Sequence, residues 1–152
     1  MKKILPLILV CITLFSCVKK DVFVKENIIP SPKEFVLNND KLHEINGVTI
    51  LETDNHLSYP QNKDEYYLKI ENGNVIIEGN EVWAKQTLEQ LKNQEARVPD
   101  VEIHDWSVYP FRGFMHDTGR NFQTLEMLKE TIDLMSLYKI NYFHWHLTDN
   151  PA

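Results

Sequence analysis

Apolar and polar positions change period several times along this chain, and each change marks an element. Phe111 to Asp117 is a short, mostly apolar run with the length of a buried strand, and Gly119 punctuates the turn after it. From Thr124 the apolar residues step by three and four, so that Leu125, Leu128, Ile132 and Met135 form one stripe on a helix. Thr124 is placed to cap that helix, and Glu126 stands in its first turn, where a negative charge suits the helix dipole. Ile140 to Leu147 then alternates, with Tyr142, His144 and His146 on one face and Phe143, Trp145 and Leu147 on the other. Two strands joined by one amphipathic helix make a βαβ unit, which implies parallel strands and a right-handed crossover.

The earlier part of the chain has a different rhythm. Val48 to Leu51 reads as a strand. Tyr66 to Ile70 and Val75 to Glu78 flank Asn72-Gly73, a hairpin signal because both central residues tolerate positive φ. Glu81 to Lys92 follows as a helix with Ala84, Leu88 and Leu91 on the face that covers the sheet. Ile28 to Pro32 opens this unit, its two prolines fixing an extended entry. Residues from about 28 to 100 therefore form a small α+β domain. Val98 to Pro110 reads as a connector, with Val101, Ile103 and Trp106 packing against the βαβ unit.

Polar residues gather just past the C-terminal end of each βαβ strand: Asp117 and Arg120 after the first, Asp149 and Asn150 after the second. Parallel α/β folds bind ligands at that edge, and in a TIM barrel the loops there carry the active site. A guanidinium at such a place can donate to two neighbouring oxygens at once. Asp117 suits a partner of a backbone or basic group better than a reactive acid. Arg112 begins its strand at the opposite end and suits a structural role.

Arg112-Gly113, Asp117-x-x-Arg120, and Lys139-Ile140-Asn141 through His144-Trp145-His146-Leu147-Thr148-Asp149 closely resemble the opening of the catalytic barrel in glycoside hydrolase family 20, the β-N-acetylhexosaminidases. The first domain also resembles the non-catalytic N-terminal domain of that family, in Ile29-Pro30-x-Pro32 and in Gln86-Thr87-Leu88-Glu89-Gln90-Leu91. Its middle is shorter, since Leu51 to Glu65 holds only a polar stretch where the family has a further helix and strand. The expected fold is a small α+β N-terminal domain, residues 28–100, followed by residues 101–152 as the start (βαβ) of an incomplete TIM (β/α)8 barrel.

The resemblance implies a retaining hydrolysis of terminal, non-reducing N-acetylhexosamine residues in oligosaccharides or glycoconjugates. The sugar's own 2-acetamido oxygen attacks the anomeric carbon, so such enzymes depart from the ordinary two-carboxylate scheme. It implies that Arg120 binds the ring hydroxyls, that Asp149 helps shape the subsite, and that no metal or organic cofactor is needed. Where the family commonly has a second acidic residue, this chain has Asn150. The aspartate–glutamate pair that steers the acetamido group and protonates the leaving oxygen belongs to a later strand. The chain is thus expected to be an N-terminal fragment without catalytic residues, inactive alone.

Two rival readings stand beside this one. A short lipoprotein could keep the small domain and partial barrel as a non-catalytic binding module. Alternatively His144 and His146, both on one strand face with Asp149 nearby, could serve a metal-dependent barrel hydrolase.

The first residues carry an address rather than a fold. Lys2 and Lys3 precede the apolar stretch Ile4 to Phe15, too short for a permanent membrane span. Leu14-Phe15-Ser16-Cys17 resembles a lipoprotein cleavage box, so residues 1–17 are expected to be a lipoprotein-type signal peptide and 18–27 a tether. Cys17 would then carry a lipid anchor to the membrane, placing an exported bacterial lipoprotein in the cell envelope, periplasm or outer membrane. Cys11 lies inside the signal, so the mature chain has no disulfide framework. The 152 residues carry a formal charge of −6 and are 43% apolar. That balance describes a globular chain without the basic footprint of a nucleic-acid partner.

Overall fold

The computed structural model describes residues 28–59 and 62–148. The elements in chain order are β1 (Glu34–His43), β2 (Gly47–Leu51), β3 (Tyr66–Glu71), β4 (Asn74–Gly79), α1 (Glu81–Leu91), β5 (Val98–Asp105), β6 (Gly113–Asp117), α2 (Leu125–Leu137) and β7 (Tyr142–His146). The first five strands form one sheet in the order β1-β5-β3-β4-β2, and β6 pairs with β7 in a second. In the larger sheet only the β2–β4 pair is parallel among the described ladders.

Alternation puts Leu68, Ile70, Val75, Ile77, Val101 and Ile103 into the core, each at most 1% exposed. α1 lays Ala84, Leu88 and Leu91 into the same cluster, and Ile28 plugs it from the chain entry. That entry is held to α1 by one side-chain amide: Gln90 accepts from the Ile29 N–H at 2.6 Å and donates to its carbonyl at 2.7 Å. Asn80 caps α1, its side chain accepting from the Trp83 N–H at 2.9 Å. The hairpin turns where expected, with φ of +49° at Asn72 and +78° at Gly73. A Cβ on Gly73 would lie 2.1 Å from the Glu44 carbonyl oxygen, so this turn also has no room for a side chain.

Two parts of the sheet depart from the sequence reading. Val98–Asp105 is a strand between β1 and β3, not a connector. Its polar residues Asp100, His104 and Asp105 are buried by the fold around them, and Pro99 is tolerated near the strand's start. Val101 and Ile103 therefore serve the core of the first unit, and the sheet runs past residue 100 to Asp105. β1 is a further strand that the sequence pattern does not announce, its centre Asn38-Asn39-Asp40-Lys41 being polar; the ladder slips between Leu37 and Asn39 and again before His43.

Described residues between Leu51 and Glu65 form no helix, yet two buried carboxylates organise them. Glu78 accepts from the Thr53 hydroxyl, from the N–H of Asn55 at 3.2 Å, and from the N–H of His56 at 2.9 Å. Glu65 accepts from the N–H groups of Ser58 and Tyr59, both at 2.7 Å, while His104 Nε2 sits 2.6 Å from its carboxylate. Buried acceptors thus replace a regular ladder and satisfy the N–H groups of Asn55, His56, Ser58 and Tyr59. Burial raises the Glu78 pKa, but bonds from Thr53, His56 and Asn55 outweigh it and hold the carboxyl below its usual range.

The second unit is a βαβ arrangement. β6 and β7 are parallel, pairing Gly113 with Tyr142 through Asp117 with His146. Thr124 caps α2 through the Met127 N–H at 3.3 Å. Of the apolar stripe, Leu128 and Met135 are buried, whereas Leu125 and Ile132 are 57% and 46% exposed. A two-stranded sheet is too narrow to cover the whole stripe of a helix.

α2 ends in an unusual residue for its geometry. The Ile140 N–H reaches the Met135 carbonyl and the Lys139 N–H reaches that of Ser136, each at 2.9 Å, forming a Schellman turn. The left-handed position is ordinarily glycine; here it is Lys139 at φ +55°. Its buried ammonium lies 2.9 Å from Asp105 Oδ2 and 2.9 Å from the Tyr66 hydroxyl, tying the second unit to the first.

Candidate functional site

The C-terminal ends of β6 and β7 bring Asp117, Arg120 and His146 together. Asp117 and His146 are register partners at the last rung, and Asp117 Oδ2 lies 3.4 Å from His146 Nδ1. Asp117 Oδ1 accepts from the Gly119 N–H at 2.9 Å and the Arg120 N–H at 3.1 Å, so the carboxylate folds the turn after the strand. The same turn is stitched to β7: the Thr118 N–H donates to the His146 carbonyl at 2.9 Å, and Trp145 Nε1 donates to the Thr118 hydroxyl at 2.8 Å. Arg120 is therefore carried on a fixed turn while its side chain stays largely in solvent, 73% exposed, with Nε 3.9 Å from Asp117 Oδ2.

Asp117 acts as its setting in the sequence suggests, as a partner for backbone and basic groups. The Arg120 N–H does most to hold its carboxyl below the usual range; burial opposes this, and His146 and the Gly119 N–H add to it. Asp149, Asn150 and Cys17 lie outside the described residues. His144 and His146 share a strand face, with ring centroids 6.4 Å apart and edge to face. Among the described residues no group of three or more His, Cys, Asp or Glu side chains is placed to hold a metal ion.

At the opposite end of β6, Arg112 is structural. Its Nη1 donates to Asp64 at 2.7 Å and to the Tyr109 carbonyl at 2.6 Å, and its Nε donates to the Lys139 carbonyl at 2.8 Å. Asn141 completes the strand entry, accepting from the Arg112 N–H at 2.9 Å and donating to the Pro110 carbonyl at 2.8 Å. A cavity of about 290 Å³ opens beside this junction, lined by Trp83, Trp106, Tyr109 and Tyr138 among others. Lys139 was not singled out in the sequence for its own chemistry, since only distant partners, Tyr66 and Asp105, reveal that it is buried and paired. Burial lowers its pKa, Asp105 partly restores it, and Arg112 lowers it further.

The neighbouring acids Asp64 and Glu65 are both engaged within the first unit. Asp64 accepts from Ser107 at 2.7 Å as well as from Arg112, while Glu65 is buried against His104. For Asp64, burial raises the pKa, and the bonds from Ser107, Arg112 and Trp83 overcome it.

Known proteins place this arrangement. Residues 109–152 match the family model described as glycosyl hydrolase family 20, catalytic domain. Over 89 residues the chain is 42% identical to a chitooligosaccharidolytic β-N-acetylglucosaminidase of Bombyx mori, covering 52% of this chain and 15% of that protein. Over 107 residues it is 37% identical to a β-hexosaminidase of Porphyromonas gingivalis, covering 61% of this chain and 14% of the relative. The crystal structure of a β-N-acetylhexosaminidase superposes with a TM-score of 0.67 at 30% identity, over 82% of this chain and 27% of the other. The chain thus spans a small part of the length of these relatives.

Proposed function

We propose that this chain supplies the N-terminal α+β unit and the first two strands of the (β/α)8 catalytic barrel of a β-N-acetylhexosaminidase. The reaction is removal of terminal, non-reducing N-acetylhexosamine with retention, assisted by the substrate's own acetamido group. Arg120 binds ring hydroxyls and Asp149 forms a neighbouring wall of the subsite. In this reading the acid and the acetamido-steering aspartate belong to a later barrel strand. The observation that carries this reading is the Asp117-to-Arg120 turn, fixed at the strand outlet within the matched segment. Substrate positioning of this kind converts binding energy into rate.

Residues 1–17 act as the export signal, Cys17 takes a lipid, and the protein works in the bacterial cell envelope at the end of a short tether. Metabolic labelling with a palmitate analogue, lost in Cys17→Ser, tests that part.

The activity is tested by replacing the corresponding segment of the Porphyromonas gingivalis β-hexosaminidase with residues 109–152. Turnover of an aryl N-acetylglucosaminide by the chimera, reduced about a hundredfold or more in kcat/KM by Arg120→Ala, is the expected result. An active chimera indifferent to Arg120→Ala would remove Arg120 from the subsite.

A further inference from the structure

Arg120 is the one candidate sugar contact among the described residues, and a long side chain in solvent does not aim itself. Its guanidinium loses rotamer entropy on binding unless something holds it beforehand. The structure provides such a holder at the root of the side chain. One oxygen of Asp117 is committed to the backbone of the turn, through Gly119 and Arg120. The other faces His146 at 3.4 Å and the Arg120 Nε at 3.9 Å. Division of labour between the two oxygens fixes both the origin of the arginine and the side toward which its charge is drawn. His146 comes from the neighbouring strand, so the anchor spans both strands whose ends form the site. With both oxygens of Asp117 facing these partners, its side chain, 27% exposed, is occupied at the turn.

We infer that Asp117 is a positioning residue that aims the Arg120 guanidinium into the sugar subsite, with His146 steadying its second oxygen. The inference deepens the proposed function and rests on the reading of Arg120 as a sugar contact. Asp117 itself does not touch the sugar. An asparagine there keeps the shape and the acceptor for the turn but removes the charge that draws the guanidinium. A glutamate keeps the charge and displaces it by one methylene.

The test uses the 152-residue chain, isotope-labelled for NMR, with N-acetylglucosamine as the probe and the amide signals of β3, β4 and β5 as a check of folding. Expected is a saturable shift of the Arg120 Nε–H signal, with the apparent Kd raised about tenfold in Asp117→Asn and partly recovered in Asp117→Glu, as for loss of a charge-assisted contact. Arg120→Ala abolishes the response. Binding by Asp117→Asn within about twofold of the unsubstituted chain, with Arg120→Ala inert, would overturn the positioning role. A second arm needs no sugar. As pH falls, the Asp117 carboxyl carbon and the Arg120 Nε–H should titrate together, with a midpoint below 3.8. Among the described residues the ionisable groups facing that carboxylate are His146 and Arg120, and His146→Gln should move the midpoint upward. An Arg120 Nε–H signal that ignores the Asp117 titration overturns the inference whatever the sugar does. Absence of a sugar response with the two signals still titrating together sinks only the sugar role of Arg120.

Discussion

Lys139 Nζ lies 2.9 Å from Asp105 Oδ2, joining the residue that ends α2 to the last residue of β5. The lysine holds a backbone conformation that favours glycine so that its ammonium can reach a buried carboxylate. Two effects compete in Lys139→Gly. Releasing the left-handed strain gains roughly 1 kcal/mol. Leaving Asp105 buried without its cation costs about 3–5 kcal/mol. The substitution should therefore destabilise by about 2–4 kcal/mol in urea unfolding followed by tryptophan fluorescence. A glycine variant more stable than the parent would show that backbone strain, not the ion pair, dominates this junction.

Acid should loosen the loop that Glu78 organises. The folded carboxyl titrates below the ordinary value of 4.5, so the unfolded chain binds the proton first as pH falls. Its contribution is complete above 4.5 and disappears as pH drops through the folded value. Stability measured between pH 6 and pH 3 should fall less steeply in Glu78→Gln than in the parent, roughly as expected from removing one linked proton. Parallel curves would mean that Glu78 does not contribute to the acid response.

At the hairpin, Gly73→Ala places a methyl against the Glu44 carbonyl in a backbone already at φ +78°. Destabilisation by about 1–3 kcal/mol is expected. Asn72→Gly, which keeps positive φ accessible, should change stability by less than about 1 kcal/mol. Equal losses at the two positions would refute the steric account.

Removing the caps should weaken the helices unequally. Asn80→Ala deletes the bond to the Trp83 N–H and also the bond from its amide to the Lys63 carbonyl at 2.8 Å. Thr124→Ala deletes one longer cap bond at 3.3 Å. Costs near 2 and below 1 kcal/mol respectively are expected from the range for such caps, roughly 0.5–2 kcal/mol. The reverse order in thermal unfolding would contradict the assignment.

The 152-residue chain should release no more phenol from an aryl N-acetylglucosaminide than a matched blank. Its adjacent acids, Asp64 and Glu65, are held by Arg112 and His104 away from the outlet of β6 and β7. Cleavage above the blank that vanishes in Glu65→Gln would overturn that statement.

Local patterns carried much of this fold. Asn72-Gly73 announced its turn, Thr124 its cap, and the alternation around His144 its strand, because each depends on neighbours in sequence. β5 was illegible for the opposite reason: Val101 and Ile103 do alternate with Glu102 and His104, but Pro99 and the polar Asp100, His104 and Asp105, which only the surrounding fold buries, make the stretch look like a connector. β1 was hidden by a polar centre whose ladder slips. In the site, Arg120 and Asp117 could be picked out from their place after a strand, but the pairing of Asp117 with His146 depends on a register set across the whole helical crossover. Lys139 is the hardest case. Nothing local distinguishes a buried lysine from a solvated one, and its partners Tyr66 and Asp105 are far away in sequence.

The anchoring of β6 at its entry has a mechanical consequence. Five residues make a strut only about 13 Å long, with Arg112 bolted to Asp64 at the foot and Arg120 mounted just beyond the head. So short a lever transmits any tilt at its base to the arginine above. The first unit is thereby the bracket that keeps the outlet in alignment, and loosening Asp64 should detune a place it never touches.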